Sequence, residues 1–374
     1  MKNNYKYYLL ILALGLIFLT QNLDKPFYGH HDFNSVYYSI MAKNYLKYGL
    51  LSTKLGQVVN PGYISPDKFD FQTHYPSTFP LLLAGSYKLF GYHEWAGRLV
   101  PLIFSLGILI LLFKIARQLE FSSLASLATS IVVVTPMLRY FGKLPVHEPL
   151  VVFCSLLSVY FYIKFISEPK KRWLTALYLS AFFNAFLSWP GYLLYPLLTL
   201  HAFIYYRRYW LSVSVVNLVL VTGLGLHLFH VYLLTGDWLG GGLAKALLFR
   251  LNLSAANGFT WGKYLIQEAR WITVYYTRIL LISAVIFCFS LFKKQKISLA
   301  SSIIITLGFF GVAYVLIFSN MVFIHDYFNI FFLPFFSLSF AWFINQLQIN
   351  LPKLVLPILI LLFIFAADSF SGTS

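Results

Sequence analysis

Gly29-His30-His31-Asp32-Phe33-Asn34-Ser35 opens up a segment, residues 24–98, that is unlike the rest of the chain. The segment continues through a tyrosine-rich helical pattern to Thr73-His74-Tyr75-Pro76-Ser77-Thr78-Phe79-Pro80. On either side the chain is lipid-compatible. Here it is long, polar in places and rich in ionisable groups, so any chemistry is expected on this loop.

The flanking sequence decides the class. Of 374 residues, 59% are hydrophobic and 11% charged, and the mean hydropathy is +0.73. A soluble domain carries about 25% charged residues, so an integral membrane protein is expected. Aromatic residues make up 20%, and Tyr and Trp suit a membrane interface. The net charge of +16 does not point to nucleic acid, because the basic residues are scattered between apolar spans and build no soluble basic face. It points to cytoplasmic loops and to anionic lipid or phosphate ligands. Cys154 and Cys288 lie in apolar runs and read as small buried hydrophobes.

Apolar runs of spanning length recur near residues 5–23, 97–116, 121–138, 149–166, 173–189, 191–206, 211–234, 271–292, 298–320, 326–346 and 353–368. The expected architecture is therefore an all-α polytopic membrane protein of about eleven spans, forming one transmembrane domain with no soluble C-terminal domain. Lys2 and Lys6 precede the first run, and no small-residue cleavage site follows it, so it reads as an uncleaved span. With the N-terminus cytoplasmic, short loops carrying Lys114 and Arg117, Lys164 to Arg172, Arg207 and Arg208, and Lys293 to Lys296 fall inside. The two long loops, 24–98 and 235–270, fall outside, with ten of the twelve acidic residues. Within the first loop, Asn34 or Ser35 is expected to cap an interfacial helix that stops at Gly49. Its apolar face would be Val36, Tyr37, Ile40, Met41, Tyr45 and Tyr48, with Lys43, Asn44 and Lys47 opposite. Pro80 opens a short apolar helix ending at Phe90-Gly91.

Three ionisable sets fall on the outer side, each beside a span end. They are His30-His31-Asp32, the stretch from Arg139 and Lys143 to His147-Glu148-Pro149, and His325-Asp326-Tyr327. Each has a plain reading. Asp32 precedes a helix, Glu148 and Asp326 suit helix caps, and Arg139 and Lys143 suit lipid headgroups.

Taken together, their order resembles the GT-C membrane glycosyltransferases, specifically the protein-mannosyltransferase and aminoarabinose-transferase-like superfamily. The likeness runs through an acidic residue after the first span, then His74-Tyr75-Pro76, Pro80-Leu81-Leu82-Leu83, Lys88-Leu89-Phe90-Gly91 and Glu94-Trp95-Ala96-Gly97-Arg98-Leu99-Val100-Pro101. His325-Asp326-Tyr327 with Leu333-Pro334 is similar to a later family segment. The sequence departs from the family where paired acids are usual, since Asp32 is followed by Phe33.

The resemblance implies a sugar donor on a polyprenyl phosphate and a lipid, glycan or protein acceptor. Transfer would invert the anomeric centre at the extracytoplasmic face of a bacterial or archaeal plasma membrane. It implies Asp32 as general base, with Glu148 orienting the acceptor. Arg139 and Lys143 would be phosphate ligands, and His31, His74, Arg98, His325, Asp326 and Tyr327 would contact substrate. The apolar helix Leu81–Phe90 would form a wall for the polyprenyl chain. A divalent metal would involve Asp32 and Glu148. The rival readings are a transporter or flippase, which should carry charges at mid-membrane, and an O-antigen ligase- or polymerase-like enzyme.

Overall fold

The computed structural model describes residues 5–253, 258–292 and 296–351, together with 353 and 357. The expected span 353–368 and the lysines at 293 and 294 lie outside the described residues.

The chain is mostly helical. Helix α1 (Tyr5–Leu19) precedes the first loop, which holds α2 (Asp32–Tyr48), a small antiparallel ribbon of Gln57–Val58 with Phe71–Gln72, and α3 (Thr78–Phe90). Next come α4 (Glu94–Gln118), α5 (Ser123–Ala128), α6 (Glu148–Ser167), α7 (Lys171–Ala185), α8 (Pro190–Tyr205) and α9 (Trp210–Thr235). The second long loop holds α10 (Leu243–Arg250) and leads into α11 (Trp261–Tyr275) and α12 (Arg278–Leu291). Helices α13 (Leu299–Ile317), α14 (Ser319–Ile324) and α15 (Leu333–Asn350) follow, with a 3-10 segment, Asp326–Phe332, before α15.

Among the described residues, five helices are long and apolar enough to cross a membrane: α4, α6, α9, α13, and α15 taken with its 3-10 lead. The α11–α12 pair makes a sixth if counted as one broken span. Helices α1, α7 and α8 sit where spans are expected but have 15, 15 and 16 residues.

Small residues set the closest crossings. A Cβ on Gly15 would lie 2.4 Å from Leu106, so α1 and α4 touch there. On α13, Gly311 meets the Phe332 ring in the same way, at 2.5 Å.

Several expectations change. The span near 121–138 is not one helix: after α5 it tightens to a 3-10 segment, Thr129–Val134, and a π turn, Met137–Phe141. The hydroxyls of Thr129, Ser130 and Thr135 bond to the carbonyls of Ser126, Leu127 and Val132, and Ile131 to Val134 are β-branched. Such side chains compete with helical bonding and crowd the helix, and Pro136 removes a donor. The span near 271–292 is broken at Tyr276 and Thr277, where α11 and α12 meet at 114°; both residues are extended.

Helix α2 begins at Asp32 rather than after Asn34 or Ser35, and Gly49 ends it with φ of 83°. Its buried face carries Asp32, Asn34, Ser35, Ser39 and Asn44 as well as Met41 and Tyr45, whereas Phe33 and Val36 are exposed. Asn44, expected to face outward, instead donates to the carbonyls of Val58 and Asn60. The helix packs its polar side against α3 and the ribbon, with Ser39 bonded to the Tyr87 hydroxyl. Cys154 is buried, but Cys288 is exposed on α12.

Candidate active site

Stretches from the first loop, the second long loop, the turn before α8 and the segment before α15 meet through hydrogen bonds. Thr73 bonds to the Gly240 carbonyl, Trp189 Nε1 donates to the His74 carbonyl, and His30 and His31 reach Asp326. Hydrogen bonds thus tie together stretches of the chain up to 296 residues apart.

Asp32 sits in the first turn of α2 and is 4% exposed. Its Oδ2 accepts the Gly29 N–H at 2.8 Å, and its Oδ1 accepts the Ser35 hydroxyl at 3.1 Å. Gly29 must be small: a Cβ there would lie 2.6 Å from the Tyr140 hydroxyl and 3.1 Å from Asp32 Oδ2. The preceding His31 takes a left-handed φ of 61°, which turns the chain sharply into the helix.

Beside Asp32 stands a group of cations. Arg98 Nη2 is 3.7 Å from Asp32 Oδ2, while its Nη1 donates to the carbonyls of Leu23 and Lys25. Arg139 donates to the Gln21 side chain, and Lys143 to the Gln21 carbonyl. Burial, followed by the positive charges of Arg98, Arg139 and Lys25, pushes the Lys143 ammonium down to about 8. Of these four cations, Arg98 is ion-paired with Asp32 among the described residues.

On the other flank, Asp326 Oδ2 lies 2.8 Å from His30 Nε2, and Oδ1 lies 2.9 Å from His31 Nε2. Tyr275, at the end of α11, donates to Asp326 Oδ2. The ligand atoms of His30, His31 and Asp326 all lie within 4.8 Å of one another. Two imidazole nitrogens and a carboxylate oxygen suit a divalent transition ion with an open position, and Tyr275 is the kind of outer partner that orients such a carboxylate. Asp32 and Glu148, the expected metal pair, take no part in this cluster. Tyr140 bridges the two flanks by donating to the His30 carbonyl at 2.8 Å. Burial, then Asp32, raises its hydroxyl to about 12.

The remaining expected residues divide. Tyr327 accepts from Asn34 Nδ2 at 3.4 Å, and its ring lies 5.0 Å from that of His31. The His325 ring packs against His31, and its buried Nδ1 has no partner. Burial, then His31, lowers His325 to about 4. Glu148 stands elsewhere, deep beside His147, and is 1% exposed. His147 Nε2 lies 3.1 Å from Glu148 Oε1, close enough for an ion pair, yet neither atom has hydrogen-bond geometry. Burial, then Arg250, lowers His147 to about 3. His74 is drawn toward the Arg250 side, where burial and then Arg250 lower it to about 4.

Sequence reasoning did not single out Tyr275, Tyr140 or Glu268. Glu268 lies on α11 at 6% exposure, within 3.4 Å of Asn329. Tyr275 lay inside an assumed span, and only the break after it brings it to Asp326. A groove of about 670 Å³ opens beside Tyr275, lined by Lys263, Ile266, Gln267, Arg270, Trp271, Val274 and Phe323.

Comparison with known proteins agrees with this architecture. The family model for dolichyl-phosphate-mannose-protein mannosyltransferase matches residues 74–233. ArnT from Cupriavidus metallidurans in the apo state superposes with a TM-score of 0.64 at 13% identity, over 91% of this chain and 60% of that one. The fold is GT-C. The same ArnT bound to undecaprenyl phosphate gives 0.64 at 12% identity, again over 91% and 60%. The Archaeoglobus fulgidus oligosaccharyltransferase, in complex with Zn and sulfate, gives 0.60 at 11% identity over 97% and 53%. No curated protein sequence matches the chain. The resemblance to the GT-C glycosyltransferases noted in the sequence therefore holds in the fold, and the chain spans about 60% of the length of ArnT.

Proposed function

We propose that this GT-C chain is a membrane glycosyltransferase. It moves a sugar from a polyprenyl-phosphate carrier to a lipid, glycan or protein acceptor at the extracytoplasmic face. The reading includes the eleven-span topology with a cytoplasmic N-terminus, in which the shorter helices also cross. One observation carries it: Asp32 is pinned beside Arg98, where Arg98, Arg139 and Lys25 lie close enough to Lys143 to depress its ammonium.

Glycosyl transfer from a phosphate needs a base at the acceptor and cations at the leaving group. The acceptor hydroxyl or amine attacks the anomeric carbon, with inversion. Its proton passes to Asp32, and the carbon–oxygen bond to phosphate breaks with its electrons going to the phosphate. Arg139 and Lys143 hold that phosphate, Arg as a fork and Lys as a point charge. Arg98 keeps Asp32 in place while contributing a third positive charge. The groove beside Tyr275, apolar but with Lys263 and Arg270, is the acceptor's approach to the centre. The exposed side of α3, at Leu82, Leu89 and Phe90, guides the polyprenyl chain. Glu148 acts on the substrate. A divalent ion held by His30, His31 and Asp326 would add positive charge beside the phosphate.

The test is transfer from radiolabelled polyprenyl-phosphate sugars by the purified protein in lipid. Acceptor-dependent movement of label from the carrier to the acceptor supports the reading. Carrier lipid moved across the bilayer with its sugar intact would favour the flippase instead.

A further inference from the structure

The most unusual chemistry outside the Asp32 site is a buried polar cluster of His147, Glu148 and Arg250. All three are at least nine-tenths buried, at 3%, 1% and 6% exposure. Among the described residues Glu148 Oε2 and Arg250 Nη1 have no hydrogen-bond partner, and His147 Nε2 and Glu148 Oε1 face each other at 3.1 Å without hydrogen-bond geometry. Folding seldom leaves so many buried polar atoms unpaired in one place, and when it does a ligand is a natural explanation. The rest of each group is firmly held. Arg250 Nη2 donates to the Tyr75 hydroxyl at 3.0 Å, and its guanidinium lies over the Tyr75 ring at 4.9 Å. The Tyr75 and His147 rings are 4.3 Å apart, and His147 Nδ1 pairs with the Tyr38 hydroxyl at 3.1 Å.

We infer that His147, Glu148 and Arg250 form the subsite that recognises the transferred sugar, and that it accepts a neutral, hydroxyl-rich ring. This rests on the donor being a sugar on a lipid phosphate. Each unpaired atom then finds work. Sugar hydroxyls donate to Glu148 and accept from Arg250, while His147 Nε2 takes or gives one more bond. A cluster holding one cation and one carboxyl, joined through Tyr75 and His147, suits a neutral ring rather than an amino sugar or a uronate. The position is also suitable. Tyr38 lies six residues beyond Asp32 on α2, about 9 Å along the helix. A sugar reaching inward from a phosphate at the Arg139–Lys143 cluster would enter this cluster. Arg250 comes from α10, so the second long loop takes part in sugar choice.

The experiment compares binding of bare polyprenyl phosphate with binding of the same lipid carrying glucose, mannose, glucosamine or glucuronate. It uses the full chain in nanodiscs, as wild type, E148Q and R250K. Expected is a wild-type preference for a neutral hexose over the bare lipid. Both variants should lose tenfold or more on that hexose while binding bare lipid within twofold of wild type. Equal losses on bare and sugar-bearing lipid would overturn the inference, as would a wild type that gains nothing from any sugar or prefers a charged one. A wild type that binds no lipid phosphate at all refutes the donor assignment instead. Thermal unfolding gives a readout free of ligand. E148Q should hold or raise the midpoint, because it removes an unpaired buried carboxyl. A clear fall would mark Glu148 as structural and overturn the proposal.

Discussion

Replacing Lys143 by Gln probes the phosphate assignment where it is most exposed to failure. Burial and three neighbouring cations lower Lys143 from 10.5 to about 8, which corresponds to about 3 kcal/mol. Water at the rim screens part of this, leaving about 1–2 kcal/mol. The sign is fixed by linkage. Between pH 8 and 10.5 the unfolded chain holds a proton that the folded one has lost, so stability rises with pH across that window. Below pH 8 charged Lys143 works against folding, and an anion in the cluster reverses that cost. The substitution keeps a donor for the Gln21 carbonyl and removes the charge. Affinity for undecaprenyl phosphate in nanodiscs should fall about tenfold, the equivalent of about 1.4 kcal/mol. Wild-type affinity should decline as pH rises above about 8, and the decline should vanish in the variant. The ligand-free variant should unfold no earlier than wild type at pH 7. A variant that binds as tightly as wild type with the same pH profile would refute the reasoning.

Other consequences follow from the same geometry. Gly29→Ala should fold but lose most transfer activity, because its Cβ would lie 2.6 Å from the Tyr140 hydroxyl and 3.1 Å from Asp32; near-normal activity would show that this approach is not needed. Zn²⁺ added to chelator-treated protein should bind one ion per chain, and the site should be lost in His31→Ala and in Asp326→Ala, as measured by elemental analysis and by the visible spectrum of a Co²⁺ substitute. Tyr275→Phe should keep that ion but weaken its hold by about tenfold, as removal of an outer partner does; unchanged affinity would deny Tyr275 that role.

Much of the fold was legible because lipid imposes a simple rule: apolar runs of spanning length must be helices. The runs at 97–116, 149–166, 211–234 and 298–320 appear close to where they were expected. The breaks were harder to read. Hydropathy carries no sign of the turn at Tyr276-Thr277, since both flanks are apolar, and so α11 was taken partly for loop and partly for span. Likewise the polar face of α2 looked like a solvent face. Asn44 is buried because the ribbon that accepts its hydrogen bonds is built by residues 57–72, which alternation in two-residue strands cannot reveal. In the site, Asp32 and Asp326 stood out because each lies beside histidines at a span end. The contact of His31 with Asp326, 295 residues away, depends on tertiary packing. Arg250 was noticed only as part of a loop, because no local pattern marks an arginine that will stack on Tyr75.

The central claim is that Asp32 takes the acceptor's proton. The direct measurement is single-turnover transfer from a radiolabelled polyprenyl-phosphate sugar by Asp32→Asn beside wild type, with donor binding measured on the same samples. The account predicts donor affinity within a few-fold of wild type and a transfer rate lower by about 10²–10⁴. A folded Asp32→Asn protein that transfers sugar at the wild-type rate would contradict it.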